Sequence, residues 1–329
     1  MKTNICIIAL SAFLMTGCKK NLLDINQNPD TSTSSTARLT MPVALENAAR
    51  INQTSYFNLA FWTGYWATPL GFSKPADIYT YNINSNFESK TWDDLYHNIS
   101  DFNYVEQSAI EQKLPVYRAI AKVMKAYDFH QLVDIWGNVP YTQALQGAKN
   151  MTPAYDQGQT IYDGLVKQID SAIAIFKQPA TAALINSSID KQKILLFGSL
   201  LDPYDPSTKD IFIQQWIKFS NTLKLQLLVN QSGINRDNYI KSELTGLTTS
   251  DFLDLGEDAI LNPGYVLSAG QTNPFYSAFY SADGVELNNY SSIKASDYGV
   301  KAYMNTNDPR ISFYYDNYGG STYKGSVFG

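Results

Sequence analysis

The stretch Ala126-Tyr127-Asp128-Phe129-His130-Gln131-Leu132-Val133-Asp134-Ile135-Trp136-Gly137-Asn138-Val139-Pro140-Tyr141 ends a helix and turns the chain. Reading back from it, Val116, Ile120, Val123, Met124, Tyr127, Leu132, Val133 and Trp136 recur at steps of three and four, the spacing that lines one helix face. Pro115 suits the start of that helix, where a missing N–H removes no bond. Reading forward, Gly137 supplies the stop. Asn138-Val139-Pro140 prevents resumption, because proline disfavours the helical region for the residue before it. The spacing predicts Val133 and Trp136 in the core, a left-handed Gly137, and an extended piece from Pro140.

Working outward, helical periodicity covers Met41 to Leu59, Thr91 to Gln112, Gln159 to Phe176, Phe212 to Asn230 and, more briefly, Arg236 to Leu244. In one of these, Ile161, Leu165, Ile169, Ala172, Ile173 and Phe176 form a stripe opposite Asp163, Lys167 and Asp170. Long helices joined by short turns predict a mainly α chain of antiparallel pairs, stacked as a solenoid or bundle. No clean 34-residue repeat is visible, so periodicity alone leaves tetratricopeptide-like stacking open. After about Leu247 the texture changes to Gly, Asn, Ser, Asp and aromatic residues, with ten of the 23 tyrosines between Tyr265 and Tyr323, which predicts a loop-rich segment. Its carboxylates Asp251, Asp254, Glu257 and Asp258 read as a solvated acidic face.

Composition narrows the functions. The chain has 329 residues, 44% of them apolar, which suffices for a substantial core. Charged residues are 17%, against about 25% in an average soluble protein. A net charge of −5 offers phosphates no basic face, so nucleic acid is excluded as a partner. Two cysteines and two histidines are too few for a zinc centre or a disulfide framework.

The amino terminus reads as an address. Lys2 precedes the apolar run Ile5 to Met15, the layout of an export signal and too short to span a bilayer. Met15-Thr16-Gly17-Cys18 resembles the bacterial lipobox, with Met15 where leucine is commoner. The signal, residues 1–18, ends at the lipidated cysteine: processing there would make Cys18 the acylated first residue, carry Cys6 away, and leave no free thiol. A diacyl or triacyl anchor would then hold the protein at a membrane, where a single chain binds only marginally. Residues 19–36, with Thr31-Ser32-Thr33-Ser34-Ser35-Thr36, read as a flexible tether.

Taken with these features, the helix-ending stretch closely resembles a signature of the SusD/RagB family, surface lipoproteins of nutrient-uptake systems in Bacteroidetes. Further landmarks follow in the family's order. They are Asp24-Ile25-Asn26-Gln27-Asn28-Pro29, Thr152-Pro153-Ala154-Tyr155-Asp156 before Ile161-Tyr162, the stretch from Trp216 to Lys224, Asn273-Pro274-Phe275, and Asn307-Asp308-Pro309-Arg310. The resemblance implies a tetratricopeptide-like scaffold over residues 37–246, carrying N-terminal binding loops, and an irregular ligand-binding lobe over 247–329. It also implies a SusC-like TonB-dependent outer-membrane transporter as partner, a glycan or other oligomeric nutrient as ligand, and a lipid anchor in the outer membrane with the body exposed. Family members continue beyond the Asp-Pro-Arg segment, so the resemblance further implies a truncated carboxyl terminus.

A sugar ring has an apolar C–H face and a polar rim, so its site needs flat aromatic platforms beside amides or hydroxyls. Phe61-Trp62-Thr63-Gly64-Tyr65-Trp66 and Tyr79-Thr80-Tyr81-Asn82 supply both, and make Trp62, Tyr65, Trp66, Tyr79 and Tyr81 candidate ligand contacts. Tyr276 and Tyr280, near Phe275 and Asn288-Asn289-Tyr290, form a second candidate group. For every one of them a core aromatic is the competing reading. Catalysis has little support, with no Gly-rich phosphate loop, His-Glu-x-x-His helix or Gly-x-Ser-x-Gly elbow, and nothing calls for a metal or cofactor. His97 and His130 read as structural. Asp93-Asp94, placed by periodicity in the first turn of a helix, and Asp202 with Asp205 are the carboxylate pairs a glycoside hydrolase would need. A hydrolase on a helical scaffold and an interaction lipoprotein without a small ligand are the alternatives.

Overall fold

The computed structural model describes residues 35–54, 57–317 and 322–328; Cys18, the export signal and most of the tether fall outside them. Residues 36–329 form one unit. Its frame is a run of helices: α1 (Ala37–Thr54), α2 (Phe57–Trp62), α3 (Ala76–Thr80), α4 (Ser89–Glu111), α5 (Pro115–Trp136), α6 (Gly158–Phe176), α7 (Pro179–Ala183), α8 (Ser187–Lys193), α9 (Thr208–Val229) and α10 (Asp237–Glu243). The long members pack in series, α1 on α4, α4 on α5, α5 on α6 and α6 on α9. This is the mainly α, tetratricopeptide-like stack the sequence and its resemblance imply. No described helix is long and apolar enough to cross a membrane.

α1 begins four residues before the periodicity indicates, because Ala37 and Met41, one turn apart, are both fully buried. It runs through Pro42, whose missing N–H costs a bond that packing of Ala44, Leu45 and Ala48 offsets. The segment read as one helix to Leu59 belongs to two, α1 and α2. α4 also starts early, at Ser89, which puts Asp93 and Asp94 in its second turn and corrects their reading as first-turn residues. There Asp94 meets Lys90 at 2.5 Å and Arg50 at 3.5 Å.

α5 opens on Pro115 and stops at Gly137, as read. Gly137 has φ +73° and ψ −94°, positive as expected but outside the left-handed helical well, and its N–H donates to the Val133 carbonyl at 2.8 Å. Val133 is buried, whereas Trp136 is only half-buried and packs edge-on against Trp92 at 5.1 Å, a correction to its core assignment. Beyond the turn, β2 (Val139–Pro140) pairs antiparallel with β3 (Tyr155–Asp156). The Asp156 carboxylate accepts the backbone N–H groups of Tyr141 and Thr142, and Asn138 Oδ1 accepts the Gly158 N–H at the start of α6. Two separate landmarks of the sequence are thus one joint between consecutive helices.

Trp216, Tyr117, Phe102 and Phe212 are the largest fully buried side chains of the stack. Around Tyr117 lies a polar node: its hydroxyl donates to Asp190 Oδ1 at 2.8 Å, and Arg38 Nε donates to the same oxygen at 3.0 Å. The polar stripe of α6 carries ion pairs, Asp163 with Arg236 and Asp170 with Lys224. After α10 the chain is largely irregular, with α11 (Pro274–Ser277), α12 (Asn288–Ser292), β4 (Lys294–Ala295), α13 (Asp297–Asn305) and α14 (Ile311–Tyr314). α11 packs on α1, and β4 pairs antiparallel with β1 (Trp66–Ala67).

Candidate functional site

The β1–β4 pair brings residues far apart in sequence to one place. Trp66 lies opposite Ala295 and Ala67 opposite Lys294, and the Ser296 N–H donates to the Tyr65 carbonyl at 2.9 Å. The chain enters β1 through Gly64, at φ +79°, where a Cβ would come within 2.6 Å of the Tyr298 ring. Only glycine fits that turn, which leads directly into Tyr65 and Trp66.

Trp66 is half-buried, resting edge-on against Phe57 at 5.0 Å, Phe61 at 5.9 Å and Phe279 at 6.1 Å. It lines two clefts at once. One, of about 640 Å³, is also walled by Tyr65, Tyr303, Tyr314 and Tyr315, with Asp316 beside them. The other, of about 560 Å³, is walled by Phe275, Tyr276, Phe279, Tyr280 and Tyr290. In the second, Tyr276 stacks on Tyr280 at 5.1 Å, and Lys294 Nζ lies 4.4 Å from the Tyr290 ring centre.

The sequence landmarks position these walls. Asn273 Oδ1 accepts the Phe275 N–H at 2.9 Å and Pro274 takes the first helical position, so Asn-Pro-Phe starts α11 and places Tyr276. Asp308 holds the Arg310 side chain and accepts its backbone N–H at 3.0 Å, fixing the start of α14 below Tyr314. Hydrogen bonding from Arg310 brings the Asp308 carboxyl down to about 2. The Arg310 guanidinium lies 5.8 Å from the Tyr303 ring centre, so the Asp-Pro-Arg turn also supports that wall. Desolvation, with neighbouring phenols, raises Tyr303, Tyr315 and Tyr280 above the usual phenol range. They remain neutral hydroxyls that both donate and accept hydrogen bonds. Flat apolar faces with such groups at their rims can stack a sugar ring and bond its hydroxyls.

The sequence candidates are distributed unevenly over this geometry. Tyr65 and Trp66 line the first cleft, and Trp66, Tyr276 and Tyr280 the second. Trp62 lines a smaller polar pocket and stacks on Tyr81 at 5.5 Å. Tyr79 lines none of these hollows; its hydroxyl accepts the Thr68 N–H at 2.6 Å and its ring stacks on Phe328 at 4.3 Å. Tyr81 lines none of them either, and its φ of +52° terminates α3. Tyr303, Tyr314 and Tyr315 were not singled out by the sequence, whose only signal for them was the density of tyrosine after Leu247.

The carboxylates considered for hydrolysis sit elsewhere. Asp202 accepts the Tyr204 N–H and Asp205 the Ser207 N–H and hydroxyl, so both organise their own turn. The Ser207 bonds lower the Asp205 carboxyl, the direction opposite to that of a glycosidic general acid. His130 is buried between Asp134, at 3.1 Å, and Asn230, at 2.9 Å. No group of three or more potential metal-binding His, Cys, Asp or Glu side chains occurs among the described residues.

A helical stack with an irregular aromatic lobe is the architecture that comparison with known proteins has to match. A family model described as "Starch-binding associating with outer membrane", SusD-like, matches residues 27–329, and the chain belongs to that family. Solved structures share the fold. A SusD homolog from Bacteroides fragilis matches with TM-score 0.58 and 20% identity over 84% of this chain and 52% of its own. A SusD/RagB family protein from Bacteroides thetaiotaomicron matches with TM-score 0.62 and 20% identity over 84% and 53%. A chitin-binding SusD homolog from Flavobacterium johnsoniae matches with TM-score 0.60 and 19% identity over 84% and 54%. The chain therefore spans about half the length of these structures. No curated protein matched.

Proposed function

We propose that the protein is a lipid-anchored outer-membrane binder of oligosaccharides that passes its cargo, uncleaved, to a SusC-like TonB-dependent transporter. One observation carries this reading: Trp66 is the shared wall of two aromatic clefts, so successive rings of one oligomer have platforms on either side of it. Tyr65, Tyr276 and Tyr280 extend those platforms, and neutral phenols supply hydrogen bonds at the rims. The family's description as starch-binding and outer-membrane-associated supports the ligand class and the location, and the chitin-binding relative supports a glycan. Acylation at Cys18 would provide the anchor, since no described helix can span a bilayer.

The test pairs calorimetric titration against neutral oligosaccharides, glucose and N-acetylglucosamine polymers included, with chromatography of the incubated glycan. Saturable binding to at least one polymer of unchanged chain length is expected. Shortened products whose formation stops in Asp205→Asn would replace this reading with a hydrolase.

A further inference from the structure

Trp62 faces a third pocket, of about 270 Å³, which Trp66 does not line. Its polar lining is unbalanced. Asp77 and Glu88 contribute carboxylates, Asn58, Asn82, Asn84 and Asn86 contribute amides, and no lysine or arginine lines it among the described residues. The one donor of the Trp62 indole is already engaged, Nε1 donating to the Ile78 carbonyl at 2.8 Å. Asn58 on α2 is 6% exposed, and its Oδ1 is buried without a hydrogen-bond partner. A buried acceptor left unpaired in a folded protein is costly, so such an atom marks a place where a donor belongs.

The side chains already make the bonds that hold the pocket's shape. Asp77 Oδ1 accepts Asn82 Nδ2 at 3.1 Å, and Glu88 Oε2 accepts the Thr91 hydroxyl at 2.6 Å. What remains is an excess of negative charge, with no cation in the lining to meet it, and the unpaired Asn58 Oδ1. A neutral sugar brings hydroxyls that donate and accept equally, and leaves that excess uncorrected. A primary ammonium brings three N–H donors, no acceptor and a positive charge. We infer that this pocket is a second binding site, separate from the Trp66 clefts, for the ammonium group of a cationic amino sugar, with Asn58, Asp77 and Glu88 as its acceptors.

The probe is the β-1,4-linked glucosamine tetramer, compared by calorimetry with its fully N-acetylated form, below the pKa of the sugar amine and at low salt. The free amine should bind about tenfold tighter than the acetylated tetramer, a difference of about 1.4 kcal/mol. Asp77→Asn combined with Glu88→Gln should abolish that ratio while leaving the melting temperature in place. Asp210→Asn combined with Asp237→Asn removes the same charge elsewhere and should leave the ratio intact. Trp66→Ala should weaken the acetylated tetramer and leave the affinity of the free amine largely in place, which separates this site from the clefts. Equal binding of the two tetramers, absence of binding by the free amine, or a ratio that survives the Asp77/Glu88 change would each overturn the inference. Binding of neutral polymers would be untouched by any of those results.

Discussion

Replacing Asp128 with Asn should change how stability depends on pH, and the expected slope follows from one buried carboxyl. Asp128 lies in α5 with no solvent exposure; Asn98 Nδ2 of α4 donates to its Oδ2 at 2.8 Å, and its Oδ1 has no partner. Burial pushes this carboxyl well above the ordinary range, and the Asn98 bond offsets only part of that. A neutral acid carries an O–H to donate, and Asn98 Oδ1 is itself a buried acceptor without a partner. In the unfolded chain an aspartate loses its proton near 4, so above that pH the folded state holds one proton more than the unfolded state. Stability from this group is complete below the unfolded pKa and declines as pH rises toward the folded pKa, by about 1.4 kcal/mol per pH unit at the limit. Asparagine has no proton to lose. The stability of Asp128→Asn minus that of wild type, from urea unfolding followed by circular dichroism at a series of pH values between about 4 and 7, should therefore rise with pH at up to that slope. Subtraction cancels the other titrating groups. A difference that stays flat, or falls, would mean that Asp128 is ionised in the fold and would refute the reasoning.

Three further changes probe the scaffold. Gly137→Val places a β-branched residue at φ +73°, in open space where nothing clashes, so the cost is backbone strain alone, about 1–3 kcal/mol read as a lower melting temperature. Tyr117→Phe removes the hydroxyl bonded to Asp190 and should cost about 1.5–3 kcal/mol in urea unfolding, the range for a hydrogen bond to a charged group. Trp216→Ala empties a fully buried site between Phe176, Phe197 and Phe219 and should cost about 3–5 kcal/mol by the same measurement.

The stack was legible because each long helix carries its own punctuation. Pro115 and Gly137 bound α5, and the stripe from Ile161 to Phe176 marks α6, all local signals. The errors were also local. The early start of α4 moved Asp93 and Asp94 by a turn, and Trp136 was placed in the core on spacing that cannot tell a stripe's centre from its margin. The site was less legible because it is non-local. Trp66 meets Ala295 through strand pairing, and Tyr303, Tyr314 and Tyr315 join it by way of the Asp308–Arg310 turn, none of which a single sequence encodes as a pattern. Tyr79 and Tyr81 show the converse. Neighbouring aromatics of similar composition diverge, one against Phe328 and the other on Trp62, because backbone direction at α3 decides what each ring faces.

The central claim is that Trp66 grips ligand rather than merely filling space. Trp66→Ala, titrated with whichever neutral oligosaccharide the wild type binds, should lose at least about tenfold in affinity, the loss expected for an aromatic anchor. Far-ultraviolet circular dichroism of the same sample should match wild type, since the indole packs on short α2 and the irregular segment and is not part of the core between the long helices. Unchanged affinity, or a loss of helicity that parallels the loss of binding, would contradict the account.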